Sequence, residues 1–199
     1  MTNRIMLAGN VLEKDSDGIV LETNEISFDG NDTYTHLHPV TMTAKDLKAV
    51  KKGSQIKVMG KFGRGEDKRG RIEALTVDPN YKGDDINFGE IVGIAHRSFQ
   101  FFEAKGDKRA FGNVLVRLDD GMILRGVLFA PTCHRFNGPC TTGSTVQVLG
   151  RIQHREYTDR EGDGQVMIEI VGNDDFTNVL ESVELVNPFE EMADQAEAI

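Results

Sequence analysis

The sequence reads as an all-β chain: two tandem five-stranded barrels followed by an acidic C-terminal tail. Three observations carry that reading. The first is an internal repeat, in which GSQIKVMGKF at 53–62 returns as GSTVQVLGRI at 143–152 with Gly, Ser, Val and Gly kept in place. An offset of 90 residues is a domain duplication, because solenoid periods run to roughly 20–50 residues. The second is the run of short apolar segments, many of them alternating, broken by Gly-, Asp- and Asn-rich turns in both halves. The third is charge: residues 161–199 hold eleven of the 32 acidic residues and no Lys or Arg. Residues 1–160 therefore carry 23 basic against 21 acidic groups, a net of +2 in a chain whose total is −9. A near-neutral body with basic clusters and an acidic end is the charge asymmetry of a nucleic-acid binder with a tail.

Taken in order, RIMLAGNVL (4–12) is an apolar strand with a bend at Gly9, and KDSDG is a turn. IVLETNEISF is a second strand, and THLHPVTMT (35–43) a third that Pro39 confines to an edge or bulge. AKDLKAVKKG has Ala44, Leu47 and Val50 at helical spacing, gathers lysines near its end, and predicts a helix capped by Gly53. The repeated strand 54–62 and a strand at 71–77 complete the set. Strand, strand, strand, helix, strand, strand is the element order of an OB-fold, a five-stranded Greek-key barrel that binds oligonucleotides across one face and two loops. Other small barrels, SH3-like ones included, share much of it.

DPNYKGDD (78–85) is a polar link, so the first OB unit is set at 1–80, the second at 86–186 and the tail at 187–199. The second unit opens with one long strand through INFGEIVGIAHRSFQFFEAKG, then AFGNVLVRLDDG and MILRGVLFA. PTCHRFNGPCTT stands where the first unit has its helix and is too rich in Pro, Gly and Thr to form one. The repeated strand from Ser144 to Tyr157 and another from Gln165 to Val171 follow, with 179–186 as an extension.

Two cysteines make no disulfide framework, so a reducing compartment, the cytoplasm, is expected. No apolar run approaches the ~20 residues that span a bilayer, and the N-terminus has no secretion-signal pattern.

In the second unit the residues resemble the bacterial and phage single-stranded-DNA-binding proteins. FFEAKGDKRAFGNVLVRL is similar to that family's first hairpin, and RGVLFA to its third strand, where an Arg precedes a DNA-stacking Phe by four residues. Those residues are Arg125 and Phe129 here. GSTVQVLGRIQHREYTDREGDG resembles the fourth strand and long hairpin, with Tyr157 where the family often stacks a Trp. AKDLKAVKKGSQIKVMGKF resembles the family's helix and fourth strand in the first unit. The resemblance implies a protein that coats single-stranded DNA in replication, recombination or repair, in a bacterial or phage-infected cytoplasm. A homodimer is a further arrangement to test, and two OB units in one chain is the minority arrangement in that family.

Such binding needs cations for phosphates and rings for bases. The candidate nucleic-acid residues are Lys57, Lys61, Arg64, Arg71, Arg97, Phe101, Lys105, Lys108, Arg109, Arg125, Phe129, Arg151, Arg155 and Tyr157. Alternation within 144–152 puts Val146, Val148 and Ile152 inside and Gln147, Leu149 and Arg151 outside. The tail, with Phe189, Glu190, Glu191 and Asp194, is suited to compete with phosphate or to enter basic pockets on replication or repair proteins. RNA binding and a protein-interaction module on small barrels are the alternatives. Cys133, His134, Cys140 and His154 fit no usual zinc spacing. GSQIKVMGKF fails the phosphate-loop pattern, and neither KDSDG nor DREGDG has the Glu of a calcium loop. No cofactor, metal or enzymatic constellation is expected.

Overall fold

The computed structural model describes residues 1–26, 31–64, 70–106, 109–158, 164–173 and 177–180. The tail residues Phe189, Glu190, Glu191 and Asp194, together with Lys108, lie outside them.

The first half forms β1 (Thr2–Lys14), β2 (Gly18–Ile26), β3 (Thr33–Thr41), α1 (Ala44–Ala49), β4 (Gln55–Arg64) and β5 (Gly70–Asp78). Pairing runs β1-β2-β3-β5-β4 and closes back onto β1, with β3 and β5 parallel. The second half repeats this with β6 (Ile86–Ala95), β8 (Phe111–Arg117), β9 (Ile123–Phe129), β10 (Thr145–Thr158) and β11 (Gly164–Gly172), where β9 and β11 are parallel. It adds β7 (Gln100–Phe102) beside β8, α2 (Thr132–Phe136), and β12 (Asn178–Leu180) beside β10. The all-β class and the two OB barrels expected from the sequence are what the chain forms.

Closing a small barrel forces the first strand to change partners partway along its length. β1 pairs β4 through Asn10, then passes to β2 with a bulge between Val11 and Glu13. Gly9 sits at this crossing, where a Cβ would stand 1.9 Å from the Glu22 carbonyl oxygen, so only glycine allows the approach. Gly93 does the same in β6, against the Arg117 carbonyl oxygen.

The barrels are joined by their first strands, β1 pairing antiparallel with β6 from Thr2↔Val92 to Ala8↔Ile86. Ile5 faces Gly60 of β4, and Gly89 faces Gly150 of β10. Since Gly60 and Gly150 are repeat equivalents, so are Ile5 and Gly89, and these two pair with each other. A pseudo-two-fold axis therefore passes between them. Side chains obey it: Asn3 bonds both the N–H and C=O of Phe62 (2.9 and 2.8 Å), and Asn87 bonds both groups of Ile152 (2.9 Å each). Each amide satisfies a backbone pair at the barrel junction that the closing strands leave open. Ile5, Leu7, Leu21, Ile56, Phe62 and Ile72 fill the first barrel and Ile91, Val114, Leu128, Val148, Ile152 and Ile170 the second, in one apolar cluster.

Four local expectations change. Helix α1 ends at Ala49 with Val50 as its C-cap, and Gly53 instead takes the turn into β4 at φ 79°. Its start is capped by Thr43, whose hydroxyl accepts from the Asp46 N–H. The segment PTCHRF does form a helix, the five-residue α2, because burial of Cys133 and Phe136 outweighs poor propensity. The long opening strand of the second unit breaks at 96–99 into β6 and β7. Gln147 and Leu149 alternate outward as expected but are buried, Gln147 donating to Glu90 (2.8 Å) and Leu149 lying under Thr177.

Candidate nucleic-acid interface

Antiparallel partners share a face, so strand register maps the outside of the second barrel row by row. The first row is aromatic: Phe102 pairs with Phe111, and Phe111 with Phe129, across β7, β8 and β9. Phe102 and Phe111 stack at 4.8 Å and 14°, and Phe111 meets Phe129 at 6.4 Å. Phe102 is 42% exposed and Phe129 39%. The three rings form one aromatic row, half-exposed at Phe111 and exposed at Phe102 and Phe129, to which a further planar group could be added.

Two residues along the strands, the next row on this face holds Asn113 and Val127, and the one after it holds Leu115, Arg125, Glu169 and Gln153. Arg125 donates to Asn113 Oδ1 at 2.7 and 3.1 Å and lies 3.5 Å from Glu169, which also accepts from Gln153. Burial draws the Arg125 guanidinium down from its ordinary value; Glu169 opposes this, while Arg155 and Arg97 add like-charge repulsion. Arg97 and Arg155 thus stand close to Arg125 and are themselves exposed. Arg97 also donates to Gln100, the residue opposite Asn113. Beyond the last β9–β11 pair, Arg117 lies opposite Ile123 on one side and Arg155 opposite Met167 on the other, and Tyr157, 41% exposed, lies two residues past Arg155. From Phe129 to Tyr157 the face spans about eight residues of strand, or roughly 27 Å. Rings stand at both ends and guanidinium groups between them.

The other sequence candidates take distinct places. Phe101 points away from the platform and packs at 5.2 Å against His134 of the α2 segment. Lys105 and Arg109 are exposed on the loop between β7 and β8. Arg151 lies between the barrels, 3.5 Å from Glu25. On the first barrel Lys57 sits over the Tyr81 ring at 5.8 Å, Lys61 pairs with Glu73 at 3.3 Å, and Arg71 borders the cleft below. Arg64 is the last residue of β4.

Sequence reasoning left Phe102, Phe111, Asn113 and Arg117 out of the site. A turn signal was present. LDDGM closes a hairpin with Leu118 N–H on the Met122 carbonyl, and counting back from it pairs Arg117 with Ile123 and Phe111 with Phe129.

A cleft of about 460 Å³ runs between the first barrel and the β10–β11 hairpin, lined by Lys14, Asp15, Asp17, Arg71, His154 and Ile168 among others. No helix among the described residues is long and apolar enough to cross a membrane.

Rings and cations are the two kinds of group on which sequence-independent binding of single strands draws. Among solved structures, the chain is similar to the wild-type single-stranded DNA binding protein from Thermus aquaticus, with a TM-score of 0.74 and 14% identity over 94% of this chain and 96% of that one. It is similarly close to a deletion mutant of that protein, with a TM-score of 0.71 and 15% identity over 94% and 97%. At this identity the likeness establishes the shared fold, including two barrels in one chain. No family model and no curated protein matches the sequence.

Proposed function

We propose that this protein binds single-stranded DNA without sequence preference, laying the strand across the outer face of the second barrel. The observation that carries the reading is the aromatic row Phe102–Phe111–Phe129 followed on the same face by Arg97, Arg125 and Arg155. Every base has a π-face and every nucleotide a phosphate, so stacking and charge together bind strands while ignoring sequence. A span of roughly 27 Å holds a few extended nucleotides, at the lower end of the ~4–16 seen per OB-fold. The shared fold with single-stranded DNA binding proteins supports the same reading.

In this reading the protein coats exposed strands during replication, recombination or repair in a bacterial or phage-infected cytoplasm. Residues 1–80 and 86–186 act as the two OB units, and 187–199 recruits replication or repair proteins through Phe189 and its neighbouring carboxylates. It works without a catalytic group. Anisotropy titration with labelled oligo(dT) at several salt concentrations tests the proposal: binding should weaken steeply with salt. Absence of binding would transfer the chain to the protein-interaction reading, and preference for oligo(U) over oligo(dT) would make it an RNA binder.

A further inference from the structure

We propose that Gln100 and Asn113 form a donor-only pair of amides that favours the keto bases, thymine and guanine, over adenine in a bound strand. The inference rests on the single-strand reading above and refines it: any sequence binds, and base composition shifts the affinity by a few-fold. Gln100 of β7 and Asn113 of β8 stand directly opposite one another, two residues along their strands from the pair Phe102 and Phe111. The amides therefore share the outer face with the rings. Asn113 is 8% exposed, whereas Gln100 is open to solvent.

Each amide is held by an arginine. Arg97 Nη2 donates to Gln100 Oε1 at 2.7 Å. Arg125 donates to Asn113 Oδ1 from Nη2 at 2.7 Å and from Nε at 3.1 Å. A guanidinium has five N–H donors and no acceptor, so the amide atom that faces it is the oxygen, and chemistry alone orients both amides. Glu169, 1% exposed and 3.5 Å from Arg125, steadies that guanidinium from another side. The two NH₂ groups are left over. Among the described residues nothing accepts from Gln100 Nε2 or Asn113 Nδ2, and Asn113 Nδ2 reaches the surface from an otherwise buried side chain.

An amide fixed in this way offers donors alone. Asn and Gln ordinarily read adenine with both ends, the oxygen accepting from N6 and the nitrogen donating to N7. Both oxygens are occupied here, so that mode is closed, and adenine's own N6 donor meets another donor. Thymine O4, and guanine O6 with N7 beside it, are acceptors that need only the N–H groups. The amide row lies about 7 Å from the ring row, the rise of two strand residues. A base resting on a ring spans most of that interval, and one hydrogen bond of about 2.9 Å closes it.

Anisotropy titration of the full chain with oligo(dT) and oligo(dA) of equal length tests the pair. The two strands differ in flexibility as well as in base edges, so the deciding quantity is the change in the dT:dA affinity ratio from wild type to variant. Q100M removes one set of donors without changing charge. N113D keeps the shape and the acceptor for Arg125 but has no side-chain N–H. Each should lower the ratio roughly 2- to 10-fold, the worth of one net hydrogen bond. Q100M should leave the salt slope for oligo(dT) unchanged, because the lost donor is neutral. The added charge of N113D weakens both strands alike and cancels in the ratio. Should N113D fail to fold, Q100M decides, since Gln100 is exposed. An unchanged ratio while both strands still bind overturns the amide pair and leaves single-strand binding standing. Failure of the wild-type chain to bind either strand removes that function and this inference with it.

Discussion

Replacing Phe129 with Ala separates stacking from charge. The ring ends the aromatic row, is 39% exposed, and makes its ring contact with Phe111 at 6.4 Å. Removing it costs fold stability about 1 kcal/mol, the worth of an aromatic pair. If a base stacks there, affinity for oligo(dT) falls by about 1–3 kcal/mol, roughly 5- to 150-fold. The salt dependence decides what was lost. Each phosphate neutralised on a single strand contributes a slope of about −0.7 in log K against log salt. F129A should therefore shift the whole line downward at constant slope, whereas R155A should flatten it by about 0.7. Anisotropy over a salt series measures both quantities in one experiment. An unchanged Kd for F129A, or a change confined to its slope, would refute the stacking platform.

The pseudo-symmetric asparagines should behave alike: N3A and N87A each remove two backbone bonds and should each cost about 1–3 kcal/mol in denaturant melts. R125M leaves the Glu169 carboxylate, 1% exposed, without its cation and should cost about 3 kcal/mol, while R155A leaves stability nearly unchanged. Acid should destabilise the chain through His38 and His154. Burial depresses both from the usual 6.5 to about 3 and about 4, so the unfolded chain binds more protons below pH 6.5. That contribution is complete above 6.5 and is lost as pH falls toward 3–4, a loss that H38Q should shrink in pH-dependent melts. The double variant K57A/K61A should flatten the salt slope by at most about 1.4, because the first lysine already rests on Tyr81 and the second on Glu73.

The barrels were legible because their signals are local and repeated. Alternation marked the strands, and the copy at 143–152 exposed the duplication. What escaped depends on partners distant in sequence. Alternation places Gln147 and Leu149 outside the second barrel, yet Glu90 and Thr177 cover them, a fact of packing that no window of residues contains. The short helix α2 exists because Phe136 and Cys133 have a core to enter. Tyr157, Phe129 and Arg125 were recognisable as single residues, but the platform depends on register. Phe111 lies eighteen residues before its partner Phe129 and acquires a role only once the hairpin sets them opposite. The edge-to-face contact of His38 with His154 is less legible still, since the two are 116 residues apart and belong to different barrels.

Why one barrel carries the rings follows from the same register. Phe62 and Ile152 are repeat equivalents that face Ile72 and Ile170, and those in turn face Val40 and Gly126 across the parallel pairs. Three residues beyond these lie Thr43 and Phe129. The hairpin partners align in the same way, Gly18 with Asn113, so Ser16 stands where the second barrel has Phe111. Both first-barrel positions are committed to local structure: Thr43 caps α1, and Ser16 sits in a turn held by the Asp15 carboxylate, which accepts from the N–H groups of Asp17 and Gly18. A ring at either place would cost a cap or a turn. The duplicated halves therefore share their closure, their asparagine clasps and their core, and differ on the outer surface where a strand would lie. In the proposed mode the first barrel supplies cations and a rigid mount through β1 and β6, and base stacking falls to the second.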